Sequence, residues 1–351
     1  MADPRHCHFL LPGDWHTPTG GYTYDRRLSM ALRETGWMVS PMVLEGAWPW
    51  PDEADLASAA QRIAGLPDGA LVIADGLAFG VLAEVVQPHA GRLRWLALVH
   101  HPLHLETGLD VADSARLRIS ETRALRLARQ VVVVSGSTAG EVAAMGVPPA
   151  HIAVVEPGTD PAPRAHAPPR RDGPLQLLCV ATLTPRKGHT LLLQALTGLL
   201  HLPWVLHIVG SAERDPGVAA RLRTMAQPLG DRVVWHGELP GAALHAHYAA
   251  ADVFVLPSFY EGYGMVVTEA LAHGLPVVTT DGGALAHTLP PGAGLQVRAG
   301  DVVALQAALE RVLADEGLRE QLAAGARAAA VTLPTWTQQA ARFAAVLEAL
   351  A

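Results

Sequence analysis

Two glutamates in the second half of the chain flank a glycine-containing loop. Glu261 and Glu269 have seven residues between them, and the segment Gly262–Met265 leads from an apolar run into a helical pattern. Helix N-termini present free N–H groups, and glycine lets a ligand approach the backbone. Ionised carboxylates accept hydrogen bonds from vicinal hydroxyls. The segment therefore predicts a site for an anionic, polyhydroxylated ligand, whereas either glutamate alone would suit a structural role at a helix end.

A basic pair occupies another loop that follows an apolar run. Arg186 and Lys187 lie between LQLLCVA and the helical pattern TLLLQALTGLL. Preorganised cations at such a position can stabilise negative charge on a bound ligand. A solvated surface pair is the alternative. Because Lys187 is the only lysine among 26 basic residues, we favour the specific role over the solvated one.

The first half of the chain contributes a glycine pair and a histidine. Gly20 and Gly21 open a helical pattern after the first apolar run, where a phosphate group could approach the backbone; a tight turn is the alternative. His100 ends the apolar run RWLALVH, a place where a histidine is commonly a hydrogen-bonded structural residue. His101 follows it and would point to the opposite face of a continuing strand.

The elements that must position these residues form two series of apolar runs. β-Rich runs alternate with helical stretches such as 190–200, 266–274 and 302–330. Apolar strands separated by helices predict parallel sheets covered on both faces, with ligands outside the carboxyl ends of the strands. We predict an α/β chain of two tandem doubly wound, Rossmann-like domains. The predicted strands are 6–11, 38–44, 70–75, 94–100, 130–135, 151–156, 175–181, 204–210, 232–237, 252–258, 275–280 and 294–297.

A proline- and arginine-rich segment separates the two series. It predicts an N-terminal domain over 1–163, a linker over 164–174 and a C-terminal domain over 175–333. The remaining residues, 334–351, read as a helix that could pack back on the first domain.

Composition excludes several classes of protein. The chain has 351 residues, 50% hydrophobic and 17% charged, with a net charge of −7, which disfavours disorder and nonspecific nucleic-acid binding. No apolar stretch reaches the length of a membrane span, and two cysteines make no disulfide framework, so we expect a cytoplasmic protein without an integral membrane segment.

The absence of GxGxxG and P-loop patterns disfavours a dinucleotide oxidoreductase or a P-loop enzyme. The sequence has no HExxH pattern, and Pro102 prevents a regular helix that would bring together the histidines near His100. We therefore expect no metal and no cofactor.

The sequence resembles the retaining nucleotide-sugar glycosyltransferases of family 4, which have the GT-B fold. The E-x7-E spacing of Glu261 and Glu269 carries the resemblance, and further matching segments extend it over most of the chain: PTGGYTYDRRL, VVVVSGSTAGEVAAMGVPPAHIAVVEPGTD, VATLTPRKGHTLLLQAL, HIVGS, VVWHGELP and AADVFVLPSFYEGYG. The resemblance implies two domains with a cleft between them, the donor mostly in the second and the acceptor in the first. It also implies a metal-independent reaction in which the acceptor attacks on the face from which the diphosphate leaves.

The resemblance implies roles for individual residues. Glu269 would bind the ribose hydroxyls of the donor nucleotide, and Glu261 the donor sugar. Arg186 and Lys187 would stabilise the diphosphate, and His100 would face the donor sugar. These three residues and Glu261 are the expected catalytic residues. The remaining donor-binding positions are Gly20, Gly21, Gly210, Leu239, Gly262, Tyr263, Gly264, Met265 and Val266.

Two positions depart from the family pattern. Thr182 stands where the family carries an arginine five residues before the lysine, so we expect Arg186 to supply the second charge. Ala286 and His287 stand where a glutamate often follows a glycine pair. These departures motivate one alternative, a nucleotide-sugar-binding protein without transferase activity. The other alternative is a nucleotide-sugar epimerase of the same GT-B fold. The base, the sugar and the acceptor (small molecule, glycan or lipid) stay open, as does peripheral association with the inner membrane.

Overall fold

The computed structural model describes residues 5–162 and 173–350. The chain divides into two compact units, the first made of Met1–Gly158 with Pro334–Ala351 and the second of Thr159–Leu333. The linker predicted at 164–174 falls for the most part on residues 163–172, which lie outside the described residues.

The first unit is built on a six-stranded parallel sheet in the order β2-β1-β3-β4-β5-β6. Its strands are β1 (His6–Pro12), β2 (Met38–Leu44), β3 (Leu71–Asp75), β4 (Arg94–Val99), β5 (Gln130–Val133) and β6 (Ile152–Val154). The helices that connect them are α1 (Gly20–Glu34), α2 (Glu53–Ala64), α3 (Gly76–Phe79), α4 (Ala83–Val86), α5 (Val111–Leu125) and α6 (Gly136–Ala144).

The second unit has a parallel sheet of the same size in the order β12-β11-β10-β7-β8-β9. Its strands are β7 (Leu175–Val180), β8 (Trp204–Val209), β9 (Val233–Gly237), β10 (Val253–Leu256), β11 (Val277–Thr280) and β12 (Gly294–Val297). Its helices are α7 (His189–Thr197), α8 (Pro216–Ala226), α9 (Gly241–Ala250), α10 (Met265–Ala272), α11 (Leu285–Thr288), α12 (Val302–Ala314) and α13 (Glu316–Ala330).

The predicted α/β fold of two doubly wound units is confirmed. Each of the predicted apolar runs contains a strand. The central strands are largely apolar because both of their faces are buried, and every residue of β3 and of β10 is buried. The strand order reverses between β1 and β3 in the first unit and between β7 and β10 in the second. Ligands in open parallel sheets bind at such reversal points.

The helical pattern at 302–330 forms two helices, α12 and α13, that meet at Asp315. The backbone of Asp315 is non-helical, with φ −110° and ψ 102°, and its carboxylate accepts a hydrogen bond of 2.9 Å from the N–H of Leu318. Aspartate is a strong N-cap residue, so its side chain starts α13 where the periodicity alone predicts one continuous helix.

The last helix of the chain, α14 (Trp336–Leu350), belongs to the first unit. The side chains of Trp336, Phe343 and Leu347 are buried, and the Trp336 ring packs edge-on against Tyr24 of α1 with centroids 5.6 Å apart. Gly158 allows the chain to pass close to this helix, because a Cβ there would clash with the Trp336 backbone.

None of the helices in residues 5–162 and 173–350 combines the length and apolar character that a membrane-crossing helix needs.

Candidate functional site

The loops that follow β7 and β10 lie together at the strand-order reversal of the second unit. Gly188 adopts a left-handed φ of 69°, and a Cβ at this position would clash with the carbonyl oxygen of Pro257. The N–H of Phe259 donates to the carbonyl of Arg186 at 2.8 Å. Backbone contact therefore sets the distance between the two loops, and glycine makes that contact possible.

The carboxylate of Glu261 is the centre of this site. Lys187 Nζ donates to both of its oxygens, at 2.6 and 2.8 Å, and Arg186 Nη1 donates to Oε2 at 3.3 Å. Ser258 Oγ adds a hydrogen bond of 2.6 Å to Oε1. The structure therefore brings the predicted residues Arg186, Lys187 and Glu261 together, and adds Ser258, for which the sequence analysis assigned no role.

The ion pairs keep Glu261 ionised although the residue is only 6% exposed. Burial raises its pKa, but Lys187, Arg186 and the hydrogen bonds outweigh burial and place the pKa at about 2. Two cations and one carboxylate leave a net charge of +1, which suits an anionic ligand. A carboxylate engaged by donors on both oxygens is also a poor nucleophile, so the geometry favours a positioning role for Glu261.

The loop after Glu261 leads into the N-terminus of α10. Gly264 has a φ of 95°, and a Cβ would lie 2.7 Å from the side chain of Leu285. Tyr263 is buried and its carbonyl accepts a hydrogen bond from Thr288 Oγ1 at 2.6 Å. No side chain caps α10, so the first-turn N–H groups around Met265 and Val266 can serve an anion.

Glu269 lies farther along α10 and is half-buried. Tyr248 Oη donates to Glu269 Oε2 at 2.8 Å. Burial, and then the nearby Glu269 charge, raise the pKa of Tyr248 well above its usual 10, so the phenol stays protonated and remains a donor. Tyr248, which the sequence analysis missed, thus orients the carboxylate predicted to bind ribose.

The other predicted donor-binding residues of the second unit lie at the ends of β8 and β9. Gly210 follows β8, and a Cβ there would clash with the carbonyl oxygen of Ala181, so backbone packing alone requires glycine. Leu239 lies between β9 and α9 and packs against the core of the unit. Thr182 is half-buried, and its carbonyl accepts a hydrogen bond of 2.8 Å from the N–H of Thr184.

In the first unit, His100 lies one residue beyond β4 beside two buried aspartates. His100 Nε2 is 2.9 Å from Asp25 Oδ1 and 3.5 Å from Asp75 Oδ2. Asp25 and Asp75 are 0% and 3% exposed. The sequence analysis assigned a role to neither aspartate. Asp75 could have been noticed, because an acidic residue at the end of an apolar strand lies at the edge of the sheet where ligands bind.

This Asp–Asp–His group holds a proton near neutral pH. Burial raises the pKa of both aspartates to about 8, so these carboxyl groups keep protons near neutral pH. Burial lowers the pKa of His100, while Asp75 opposes that shift. The three ligand atoms lie within 4.8 Å of one another, but protonated carboxyl groups bind a cation poorly.

The glycine pair of α1 makes room for this group. A Cβ on Gly21 would lie 3.3 Å from His100 Cδ2, whereas a Cβ on Gly20 would meet nothing within 4 Å. His101 points elsewhere, with Nε2 3.7 Å from Glu106. Of the two adjacent histidines, His100 is therefore the one that joins the aspartates and faces α1.

Similarity to known proteins covers both units. A family profile described as Glycosyltransferase Family 4 matches residues 41–163, and one described as Glycosyl transferases group 1 matches residues 164–329. The GDP-mannose-dependent alpha-(1-6)-phosphatidylinositol monomannoside mannosyltransferase of Mycolicibacterium smegmatis is 32% identical over 317 residues, or 84% of this chain and 80% of that protein. The chain belongs to glycosyltransferase family 4.

A further relative matches a shorter stretch of the chain, and two solved structures share its fold. The D-inositol 3-phosphate glycosyltransferase of Xylanimonas cellulosilytica is 39% identical over 163 residues, which span 45% of this chain and 38% of that protein. Sucrose-phosphate synthase from Thermosynechococcus elongatus superposes with a TM-score of 0.82 at 23% identity, covering 98% of this chain and 99% of the other. Anabaena HepE in complex with UDP-glucose gives a TM-score of 0.77 at 18% identity, covering 98% and 100%. These structures confirm the GT-B fold with its two Rossmann-like domains.

Proposed function

We propose that this chain is a retaining hexosyltransferase that moves a sugar from a nucleoside-diphosphate sugar to an acceptor hydroxyl. The convergence of Lys187 and Arg186 on Glu261, in the loop that leads into α10, carries the proposal. It supplies fixed positive charge and free N–H groups at one reversal point of a parallel sheet. Such a site stabilises the charge that appears on a departing diphosphate.

The donor binds to the second unit in this proposal. The diphosphate lies near Arg186, Lys187 and the first turn of α10, and Glu269 accepts hydrogen bonds from the ribose hydroxyls. The mannosyltransferase from M. smegmatis is named GDP-mannose-dependent, and the Anabaena structure contains UDP-glucose, which supports this class of donor. The base and the sugar are left to experiment.

The transfer step needs no enzyme nucleophile. The acceptor oxygen forms a bond to the anomeric carbon on the face from which the diphosphate leaves. The bond from that carbon to the phosphate oxygen breaks with its electron pair, and the same phosphate takes the acceptor proton. Glu261 is unsuited to attack the sugar because both oxygens accept hydrogen bonds and its pKa is about 2. Arg186 and Lys187 supply the charge neutralisation, so we propose a metal-independent reaction.

The first unit binds the acceptor in this proposal, with His100 as the residue that contacts the donor sugar. The proton held by the Asp25–Asp75 pair keeps the environment of His100 close to neutral. Two relatives are named for inositol-containing acceptors, so a polyol or its lipid conjugate is the class we would test first. Because these relatives are named as transferases, transfer is favoured over epimerisation.

A nucleotide titration tests the proposal. Calorimetry with UDP, GDP, ADP and NAD, each with Mg²⁺ or with EDTA, is expected to show binding of one nucleoside diphosphate in both conditions and none of NAD. Glu269→Ala should weaken that binding at least tenfold, whereas Glu320→Ala, an exposed glutamate of α13, should leave it unchanged. Absence of nucleoside diphosphate binding would overturn the proposal.

Product analysis separates transfer from the alternatives. With the matching sugar donor and an inositol acceptor, NMR should show a glycoside that keeps the anomeric configuration of the donor. Release of an epimer without acceptor would identify an epimerase. Donor binding with no turnover across an acceptor panel would identify a binding protein.

A further inference from the structure

Three histidines of the second unit converge from three different elements. His207 lies on β8, His236 on β9 and His247 on α9, and one ring nitrogen of each lies within 4.8 Å of the others. His207 Nδ1 is 2.9 Å from His236 Nε2, and the rings of His236 and His247 have centroids 4.2 Å apart. All three side chains are half-buried, so an ion could reach them from solvent.

A neighbouring glutamine fixes which nitrogen of His207 is available. Gln176 Oε1 lies 2.8 Å from His207 Nε2, and an amide oxygen can only accept, so Nε2 carries the proton. The lone pair of His207 is therefore on Nδ1, the atom that faces His236. Such a hydrogen bond to the second nitrogen is the usual support of a metal-binding histidine.

His247 completes the group without competing partners. Its ring nitrogens have no hydrogen bond to other residues in the part of the chain that the structure describes. The pair His245–His273 is different, since a third histidine is missing and His273 Nδ1 already pairs with the Glu269 carbonyl at 2.9 Å. The three-histidine group therefore has ring nitrogens available as metal ligands. In the pair His245–His273, one ring nitrogen of His273 is already engaged.

We propose that His207, His236 and His247 bind a Zn²⁺ ion, with water as the fourth ligand. Imidazole nitrogens are preferred zinc ligands at about 2.0–2.1 Å, so a tetrahedral site needs them about 3.3 Å from each other. The three nitrogens already lie within 4.8 Å of one another. The water-bearing fourth position follows from the set of three protein ligands.

The bound ion would link the strand and the helix on either side of the loop 238–240. Residues 238–240 join β9, which holds His236, to α9, which holds His247. His207 lies on β8, the neighbour of β9 in the sheet. Bound zinc would therefore restrain the segment that contains Leu239. This role is separate from the proposed diphosphate site, and the inference does not rest on the proposed function.

Zinc titration of the untagged, full-length chain tests the site. After EDTA treatment and its removal, competition with a chromophoric chelator in nucleotide-free buffer should show one Zn²⁺ per chain. His247→Ala should lower the affinity at least about 100-fold, and Gln176→Ala about 10–100-fold. His245→Ala, two residues away on the same helix, should bind as wild type does.

Thermal melting provides the second readout and shows that the variants fold. Zinc should raise the melting temperature of the wild type and of His245→Ala, but not that of His247→Ala. If His247→Ala does not fold, His236→Gln takes its place. Absence of stoichiometric binding, or equal zinc affinity in the wild type and the ligand variant, would overturn the inference.

Discussion

The charge balance around Glu261 determines what the loss of one neighbouring residue does. Lys187→Gln removes the donor of two hydrogen bonds and leaves a carboxylate that is only 6% exposed with less compensation. Because the Lys187 side chain is itself 17% exposed, we expect a loss of about 2–4 kcal/mol in unfolding free energy, somewhat below the cost of breaking a fully buried pair. Urea unfolding measures this loss.

The kcat of transfer by Lys187→Gln should fall about 100- to 1,000-fold, because the diphosphate loses a preorganised cation.

A double variant separates the two effects. Lys187→Gln combined with Glu261→Gln removes both charges of the pair, so much of the lost stability should return while kcat stays low. An unchanged unfolding free energy in the single Lys187→Gln variant would contradict a stabilising role of the pair.

The raised pKa values of Asp25 and Asp75 predict a pH dependence of stability. Their pKa values are about 8 in the fold against a usual 3.8, so the folded chain binds more protons between these values. The unfolding free energy should therefore fall as the pH rises from about 5 to 8. Asp75→Asn should flatten this slope, whereas Asp68→Asn, with a side chain 84% exposed, should keep it. Urea unfolding at three pH values decides, and equal slopes in the wild type and Asp75→Asn would contradict the prediction.

The sequence supports the prediction of single residues better than of their partners. The E-x7-E spacing and the single lysine predict that Glu261, Glu269 and Lys187 belong to one ligand-binding site. The direct contact between Lys187 and Glu261 joins residues 74 positions apart, and local spacing says nothing about it. Asp75 accepts a hydrogen bond of 2.7 Å from the N–H of Leu77 in α3, and its other oxygen lies 3.5 Å from His100, a contact that local spacing does not show.

At the scale of elements, the first turn of α1 offers a matched pair of substitutions. Gly20→Ala adds a methyl group with nothing within 4 Å, so stability should hold or rise by up to about 1 kcal/mol. Gly21→Ala places its methyl group 3.3 Å from the His100 ring and should displace it from Asp25, lowering kcat/KM about tenfold or more. Thermal melting and transfer assays on both variants check this.

The two variants also separate packing from ligand contact. If Gly20→Ala is stable but loses activity, Gly20 contacts a ligand, as the family resemblance implies. Full activity in Gly21→Ala would contradict the link between α1 and the position of His100.

Periodicity predicted the strands better than the ends of helices. Strands buried on both faces must be apolar throughout, so each appears in the sequence as a continuous run. The break between α12 and α13 leaves no such trace, because Asp315 is acceptable within a helix and becomes a cap only through its backbone conformation. The order of strands in each sheet depends on tertiary packing and cannot be read from the runs.

At the scale of the whole molecule, the first unit is built from both ends of the chain. Residues 334–351 join Met1–Gly158, so this unit cannot be complete until the last helix has been synthesised. The sequence predicts a helix after Pro334, but its partner is set by packing: Tyr24 of α1 meets Trp336, and Arg94 Nη1 donates to the Leu350 carbonyl at 3.0 Å.

Phe343→Ala tests this division into units. Phe343 of α14 is fully buried, so its truncation should destabilise the first unit by about 3–5 kcal/mol. Hydrogen exchange should accelerate in β1, β3 and β4, while β7 and β10 keep their protection and nucleoside diphosphate affinity is unchanged. Arg342→Ala, on the exposed side of the same helix, should alter neither unit. If β7 and β10 lose protection as much as β1 does, the two units unfold as one, and the C-terminal helix stabilises the whole chain rather than the first unit alone.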